Sequence, residues 1–96
     1  MDAEIKALVL STKKRLLEDL PKFLESNDKF AFGSSIDSFA TTVLGKLEGK
    51  MDSSTNFSEF VNILYGCQQL DDFGESWAPT KEKITAWIAF LKKFSV

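Results

Sequence analysis

Four stretches of the chain place apolar residues three or four positions apart, which is the spacing of one face of an α-helix. The first stripe consists of Ile5, Leu8, Val9, Thr12, Leu16, Leu20, Phe23 and Leu24. The second consists of Ile36, Phe39, Ala40, Val43, Leu44, Leu47 and Met51. The third consists of Phe57, Phe60, Val61, Leu64 and either Cys67 or Gln68, widened by Ile63 and Tyr65. The fourth consists of Ile84, Trp87, Ile88, Leu91 and either Phe94 or Val96. No strand-like run separates them, so the pattern predicts an all-α fold.

The first helix has a clear start and a proline near its end. Asp2 is a suitable N-cap, because its carboxylate can accept from a free N–H of the first turn. Pro21 interrupts the pattern, but the apolar stripe continues past it in phase. We therefore expect a kinked helix that ends near Ser26.

Glycines and serines set the predicted bounds of the second helix. The segment Phe30–Gly33 is apolar but too short for a helix, so we expect it to be extended or to lay its two rings over the end of the bundle. Ser34 or Ser35 then caps the second helix, and Gly49 ends it. Gly45 lies four residues before Gly49, and the pair predicts the close approach of a neighbouring helix.

Polar residues mark the starts of the last two helices. Asn56, followed three residues later by Glu59, resembles a capping box at the start of the third. At the start of the fourth, either Thr80 is the N-cap or Pro79 takes the first helical position. Between these helices, 71–79 is the most loop-like run in the chain.

These elements fit a single helical domain over residues 1–96. Short polar connections predict an antiparallel four-helix bundle, with five helical pieces if Pro21 splits the first helix. A six-helix bundle of the death-fold type is the alternative, because such domains have this size and often a bent first helix.

Charge and composition narrow the classes of function. The net charge is −2 and the isoelectric point is about 5.1, which argues against general nucleic-acid binding. No stretch approaches the roughly 20 apolar residues of a membrane span. The N-terminus carries acidic residues where a secretion signal has a basic region, and the single cysteine cannot form an internal disulfide. We therefore expect a cytoplasmic protein that does not enter membranes.

The residues for catalysis and metal binding are largely missing. The chain has no histidine, which removes the commonest general base and the commonest metal ligand. Cys67 thus has no imidazole to activate it, and its place on a helical stripe predicts a small buried hydrophobe. We expect no catalytic residue, no metal site and no cofactor.

The best candidate for a partner-binding site is the acidic and aromatic loop before the fourth helix. It contains Asp71, Asp72, Phe73, Glu75 and Trp77. Aromatic side chains are common anchors of protein interfaces, and carboxylates attract a basic partner. This combination predicts a protein-binding surface.

The leading functional hypothesis is a non-catalytic protein-binding module with a protein partner. Two forms of it are open: a small inhibitor comparable to the acidic helical immunity proteins, which cover a toxin's site, or an adaptor that bridges larger proteins. Self-association into a homo-oligomer is also open.

Two other functions remain as alternatives. A Phe-rich bundle can leave a cavity for a small apolar ligand, and here Phe39, Phe60 and Trp87 would line it. The chain can also act as a weak nucleic-acid-binding accessory protein if its basic residues share a face. Those residues are Lys13, Lys14 and Arg15 in the first helix and Lys81, Lys83, Lys92 and Lys93 in the last.

Overall fold

The computed structural model describes residues 2–50 and 54–96, and over these ranges it contains helices joined by turns and loops, with no strand. The elements are α1 (Ala3–Glu25), α2 (Lys29–Leu47), α3 (Thr55–Cys67), a short 3₁₀ helix (Leu70–Asp72) and α4 (Lys81–Lys93). Helix α1 contacts α2 and α4, while α2 contacts α3 and the 3₁₀ helix. The predicted all-α bundle is confirmed, and the six-helix alternative is wrong for the described ranges.

Helix α1 begins and ends where the sequence predicts. The Asp2 carboxylate accepts a hydrogen bond from the backbone N–H of Glu4 at 2.7 Å, and Ser26 is the C-cap. The helix continues through Pro21 and is not split there. Leu20 and Phe23 are both fully buried beside the proline. Their burial on one continuous stripe offsets the backbone hydrogen bond that a proline removes.

Helix α2 begins earlier than the sequence predicts. The segment Phe30–Gly33 is helical, so the expectation of an extended segment was wrong. Asp28, and neither Ser34 nor Ser35, is the N-cap: its carboxylate accepts from the N–H of Ala31 at 3.0 Å. Asp28 caps the helix six residues before Ser34, the first predicted cap, so the apolar segment joins the first turns of α2.

Gly33 is tolerated inside α2 because the helix lies directly on the 3₁₀ helix at that point. A Cβ atom at Gly33 would lie 2.5 Å from the carbonyl oxygen of Leu70. The absence of a side chain therefore permits two stretches of backbone to touch. Glycine lowers the stability of a helix by about 1 kcal/mol relative to alanine, and the close backbone contact is obtained at this expense.

The predicted close approach at Gly45 was wrong, whereas the predicted stop at Gly49 is confirmed. A Cβ atom at Gly45 would meet no other atom within 4 Å. Helix α2 ends at Leu47, and Gly49 has a φ of 73°, the left-handed conformation that glycine adopts readily after a helix. Met51, which we placed on the second stripe, lies outside the described residues.

The predicted N-cap of α3 was wrong, whereas the cap predicted at Thr80 for α4 is confirmed. Ser54, not Asn56, caps α3, with its hydroxyl accepting from the N–H of Phe57 at 3.3 Å. Thr80 caps α4, with its hydroxyl oxygen accepting a hydrogen bond from the backbone N–H of Lys83 at 3.2 Å. The loop predicted over 71–79 begins inside the 3₁₀ helix and continues as turns.

The four predicted stripes form one core. Its largest fully buried side chains are Phe23, Phe57, Phe60, Leu16, Leu20, Ile36, Leu47, Leu64, Leu70, Ile84, Leu91 and Val9. The rings of Phe60 and Phe94 stack with their centres 5.0 Å apart, which joins α3 to the end of α4. Tyr65 is the exception, since it is 54% exposed and does not widen the buried face of α3.

None of the helices in the described ranges is long and apolar enough to cross a membrane.

Candidate partner-binding cleft

An open cleft of about 630 Å³ lies between α3, the loop before α4, and the first turns of α4. We call it the α3–α4 cleft and define it by three aromatic side chains, Tyr65, Trp77 and Trp87, with Glu59 and Lys83 as its charged lining residues. Helix α3 therefore supplies one wall and α4 the opposite wall. The loop closes one end with Trp77.

Trp87 forms the floor of the α3–α4 cleft because α3 has a glycine opposite it. A Cβ atom at Gly66 would lie 2.5 Å from Cη2 of the Trp87 ring, so the indole rests on bare helix backbone. Trp87 is only 8% exposed. The floor is thus a closely packed, buried ring, while Trp77 and Tyr65 face solvent.

Trp77 and Tyr65 are the exposed aromatic residues of the cleft. Trp77 is 62% exposed and Tyr65 is 54% exposed, although rings of this size usually bury most of their surface. The indole N–H of Trp77 donates to the Asp72 carboxylate over 3.4 Å, a long hydrogen bond that favours one ring orientation. The ring is therefore tethered at its polar edge while much of its apolar surface remains open.

Tyr65 also lines a second, smaller depression. This hollow has a volume of about 330 Å³ and lies at the end of α2, where Leu44 and Leu47 contribute to it. Because Tyr65 belongs to both hollows, it stands on the ridge between them. A partner that covers Tyr65 contacts both depressions at once.

The five residues of the predicted partner-binding loop do not act as one surface. Trp77 lines the α3–α4 cleft, and Asp72 joins it through the indole hydrogen bond. Phe73 is half-buried, with its ring edge-on to Phe23 at 5.3 Å between ring centres, and so packs on the core. Glu75 is exposed beside the cleft-lining serine that follows it.

Asp71 lies in a cluster of like charges rather than in the cleft. It is half-buried, and this desolvation, together with the negative charges of Asp37 and Asp72, raises the pKa of Asp71. Helix α2 and the 3₁₀ helix therefore place the carboxylates of Asp37 and Asp72 close enough to Asp71 to repel its negative charge.

The charge of the chain is unevenly distributed, and this feature was missed in the sequence analysis. Residues 51–80 contain five carboxylates and neither lysine nor arginine. This region supplies α3 and the loop, and hence most of the cleft. The exception is Lys83, which comes from α4 on the opposite wall. The absence of lysine and arginine over thirty consecutive residues, 51–80, could have indicated an acidic surface from the sequence alone.

The two alternative functions gain little from the geometry. Of the three residues expected to line a cavity for an apolar ligand, Trp87 lines the α3–α4 cleft, whereas Phe39 and Phe60 do not. The basic triplet of α1 is divided. Lys13 donates to the backbone oxygen of Phe94 at the end of α4, whereas the guanidinium of Arg15 lies 4.1 Å from the ring centre of Phe39 in α2. The triplet therefore does not present one basic face.

Cys67 occupies the position that its helical stripe predicts. The thiol is fully buried, and this burial, with a smaller contribution from Asp37, raises the pKa of Cys67 to about 12. A thiol with this pKa is protonated at neutral pH and is a poor nucleophile.

The described parts of the chain, 2–50 and 54–96, hold no group of three His, Cys, Asp or Glu side chains that is placed to bind a metal ion. Comparison of the chain with protein-family models, with curated proteins and with solved structures finds no match.

Proposed function

We propose that this chain is a non-catalytic protein-binding module whose partner docks in the α3–α4 cleft. The observation that carries the proposal is the exposure of Trp77 and Tyr65, two large rings that line the same open cleft. Large aromatic side chains at the centre of an interface often contribute more than 2 kcal/mol each to binding. The module works in the cytoplasm and needs no cofactor.

The arrangement of the cleft supports docking of a preformed surface. Trp87 is packed on Gly66, and the Trp77 indole donates to Asp72, so each ring has a contact in the free protein that favours one orientation. A binding surface that is already ordered avoids about 0.5–1.5 kcal/mol for each side chain that would otherwise be immobilised. The cleft is thus better suited to capture a partner than an equally apolar but mobile loop.

Two biological roles fit this module. As an inhibitor, it covers the working site of a basic partner, as the small acidic immunity proteins do. As an adaptor, it holds one protein in the α3–α4 cleft and leaves the other faces of the bundle for a second. Both roles depend on the same cleft, so one experiment tests them together.

The test is affinity capture from an extract of the source organism, followed by direct binding of the purified candidate. Three forms of the protein are compared: the wild type, Trp77→Ala, and Phe30→Ala as a matched control. Phe30 is 70% exposed and does not line the cleft, so its loss removes a similar exposed ring elsewhere. Circular dichroism confirms that all three variants fold alike.

We expect one protein to bind the wild type and Phe30→Ala, and to be lost from Trp77→Ala. Equal retention of the partner by all three forms would place its site elsewhere and contradict the proposal. Loss from Phe30→Ala but not from Trp77→Ala would assign the interface to the start of α2 instead.

A further inference from the structure

The two walls of the α3–α4 cleft differ in charge. Residues 54–80, which supply the α3 wall and the loop, have carboxylates and no basic side chain, and Glu59 is their charged residue in the cleft lining. Asp72 lies at the Trp77 end, while the lysine of the lining, Lys83, comes from α4. A positively charged group entering the cleft is therefore attracted to the Trp77 end and repelled from the α4 wall.

Trp77 and Asp72 together form a suitable site for a planar cation. The indole N–H points at the carboxylate over 3.4 Å, so the open face of the ring lies beside a negative charge. Trp is the aromatic side chain that attracts cations most strongly. The Asp72 carboxylate at the edge of the ring is a candidate acceptor for a charge-assisted hydrogen bond from a guanidinium on that face.

The same combination already occurs inside this chain. The Arg15 guanidinium lies 4.1 Å from the ring centre of Phe39, and its Nε is 3.3 Å from the carboxylate of Asp19. Arginine is better suited than lysine to this geometry, because its flat and weakly hydrated head group stacks on a ring while it donates in the ring plane.

We propose that the occupant of the α3–α4 cleft is a cationic protein segment that places an arginine on Trp77 beside Asp72. This inference rests on the proposed function, since it names the chemistry of the partner that docks there. The apolar side chains of the segment contact Tyr65 and the Trp87 floor. Acidic residues of the segment are repelled from the Trp77 end of the cleft by the Asp72 carboxylate.

The test is a selection of random twelve-residue peptides displayed on phage against the purified wild-type protein. Enriched peptides are synthesised, and their dissociation constants are measured for the wild type, Trp77→Ala, Asp72→Asn and Phe30→Ala. Asp72→Asn keeps an oxygen that can accept from the Trp77 indole and removes only the charge. Each peptide is also made with its arginines replaced by lysines.

We expect arginine to be enriched together with apolar residues. Binding should weaken about tenfold or more for Trp77→Ala, and about threefold or more for Asp72→Asn, with no change for Phe30→Ala. Replacement of arginine by lysine should weaken binding to the wild type, and raising the salt from about 50 to about 300 mM should do the same.

Other outcomes separate this inference from the proposed function. Neutral or acidic peptides that still require Trp77 would overturn the cationic occupant and leave the cleft as the binding site. Peptides that bind Trp77→Ala as well as the wild type would overturn both. A selection that enriches no peptide would overturn docking of a linear segment, while affinity capture would still decide the proposed function.

Discussion

The indole of Trp87 rests on the backbone of Gly66, at a distance that leaves no room for a Cβ atom. This contact brings α3 and α4 together and forms the floor of the α3–α4 cleft. It also explains why a residue that weakens a helix lies inside α3. The packing of a large ring at this position offsets the helix propensity that glycine loses relative to alanine.

Gly66→Ala should therefore destabilise the protein, although the same substitution in an ordinary helix stabilises it. Overpacking against a buried ring costs about 1–3 kcal/mol, and the gain in helix propensity returns up to about 1 kcal/mol. We expect the free energy of unfolding, measured by urea denaturation, to fall by about 1–2 kcal/mol.

Gly45→Ala is the matched control, because nothing lies within 4 Å of its missing Cβ atom. We expect it to raise the free energy of unfolding by about 0.5–1 kcal/mol. Equal effects of the two substitutions would contradict the close contact between Gly66 and Trp87.

Thr12→Val should stabilise the protein. Thr12 is fully buried on α1, and its hydroxyl oxygen has no hydrogen-bond partner among the described residues. Replacing that hydroxyl by a methyl group removes a desolvation cost of about 1 kcal/mol and keeps the shape of the side chain. Thr12→Ser, which keeps the hydroxyl and removes the methyl group, should destabilise. A loss of stability in Thr12→Val would show that the hydroxyl is satisfied in solution.

The Cys67 thiol should not react while the protein is folded. Burial raises its pKa to about 12, so almost no thiolate exists near pH 8. We expect no reaction with Ellman's reagent in buffer, and complete reaction of the single thiol in about 6 M guanidinium chloride. Fast reaction of the native protein would mean that the end of α3 opens readily.

Asp71→Asn should raise the melting temperature at neutral pH. Burial and the charges of Asp37 and Asp72 raise the pKa of Asp71 above its usual 3.8, so its ionised form disfavours the folded state. Stability is therefore lost as the pH rises through this range, and the variant avoids that loss.

The difference in melting temperature between Asp71→Asn and the wild type should disappear near pH 3, where the carboxyl group is protonated in both folded and unfolded chains. Glu75→Gln removes a different carboxylate from the same loop and tests whether net charge alone explains the effect. An equal and pH-independent gain in both variants would contradict the repulsion among the three aspartates.

The periodic pattern predicted the fold well because apolar residues at helical spacing lie on one face of a helix. The hydrophobic effect buries that face against its neighbours. The caps at Asp2 and Thr80 were also predictable, since each needs only a local hydrogen bond. The start of α2 was not. The segment Phe30–Gly33 was interpreted as too short for a helix, but Gly33 lies inside α2 and contacts the backbone of Leu70, thirty-seven residues away.

The candidate cleft was predictable only in part. Trp77 and Asp72 were singled out in the sequence because a loop that joins rings and carboxylates is unusual, and in the structure Trp77 lines the cleft and hydrogen-bonds Asp72. Phe73 was indistinguishable from Trp77 in sequence, yet it packs on Phe23. The position of Tyr65 on a wall of the cleft depends on how α3 and α4 pack together, which no local pattern contains.

The most direct test of the central claim, that the α3–α4 cleft binds a protein partner, is a calorimetric titration of the captured partner into three forms of the chain. We expect Trp77→Ala to raise the dissociation constant about thirtyfold, which corresponds to a loss of about 2 kcal/mol of binding free energy. Phe30→Ala should leave the dissociation constant unchanged. Identical dissociation constants for the wild type and Trp77→Ala would contradict the account.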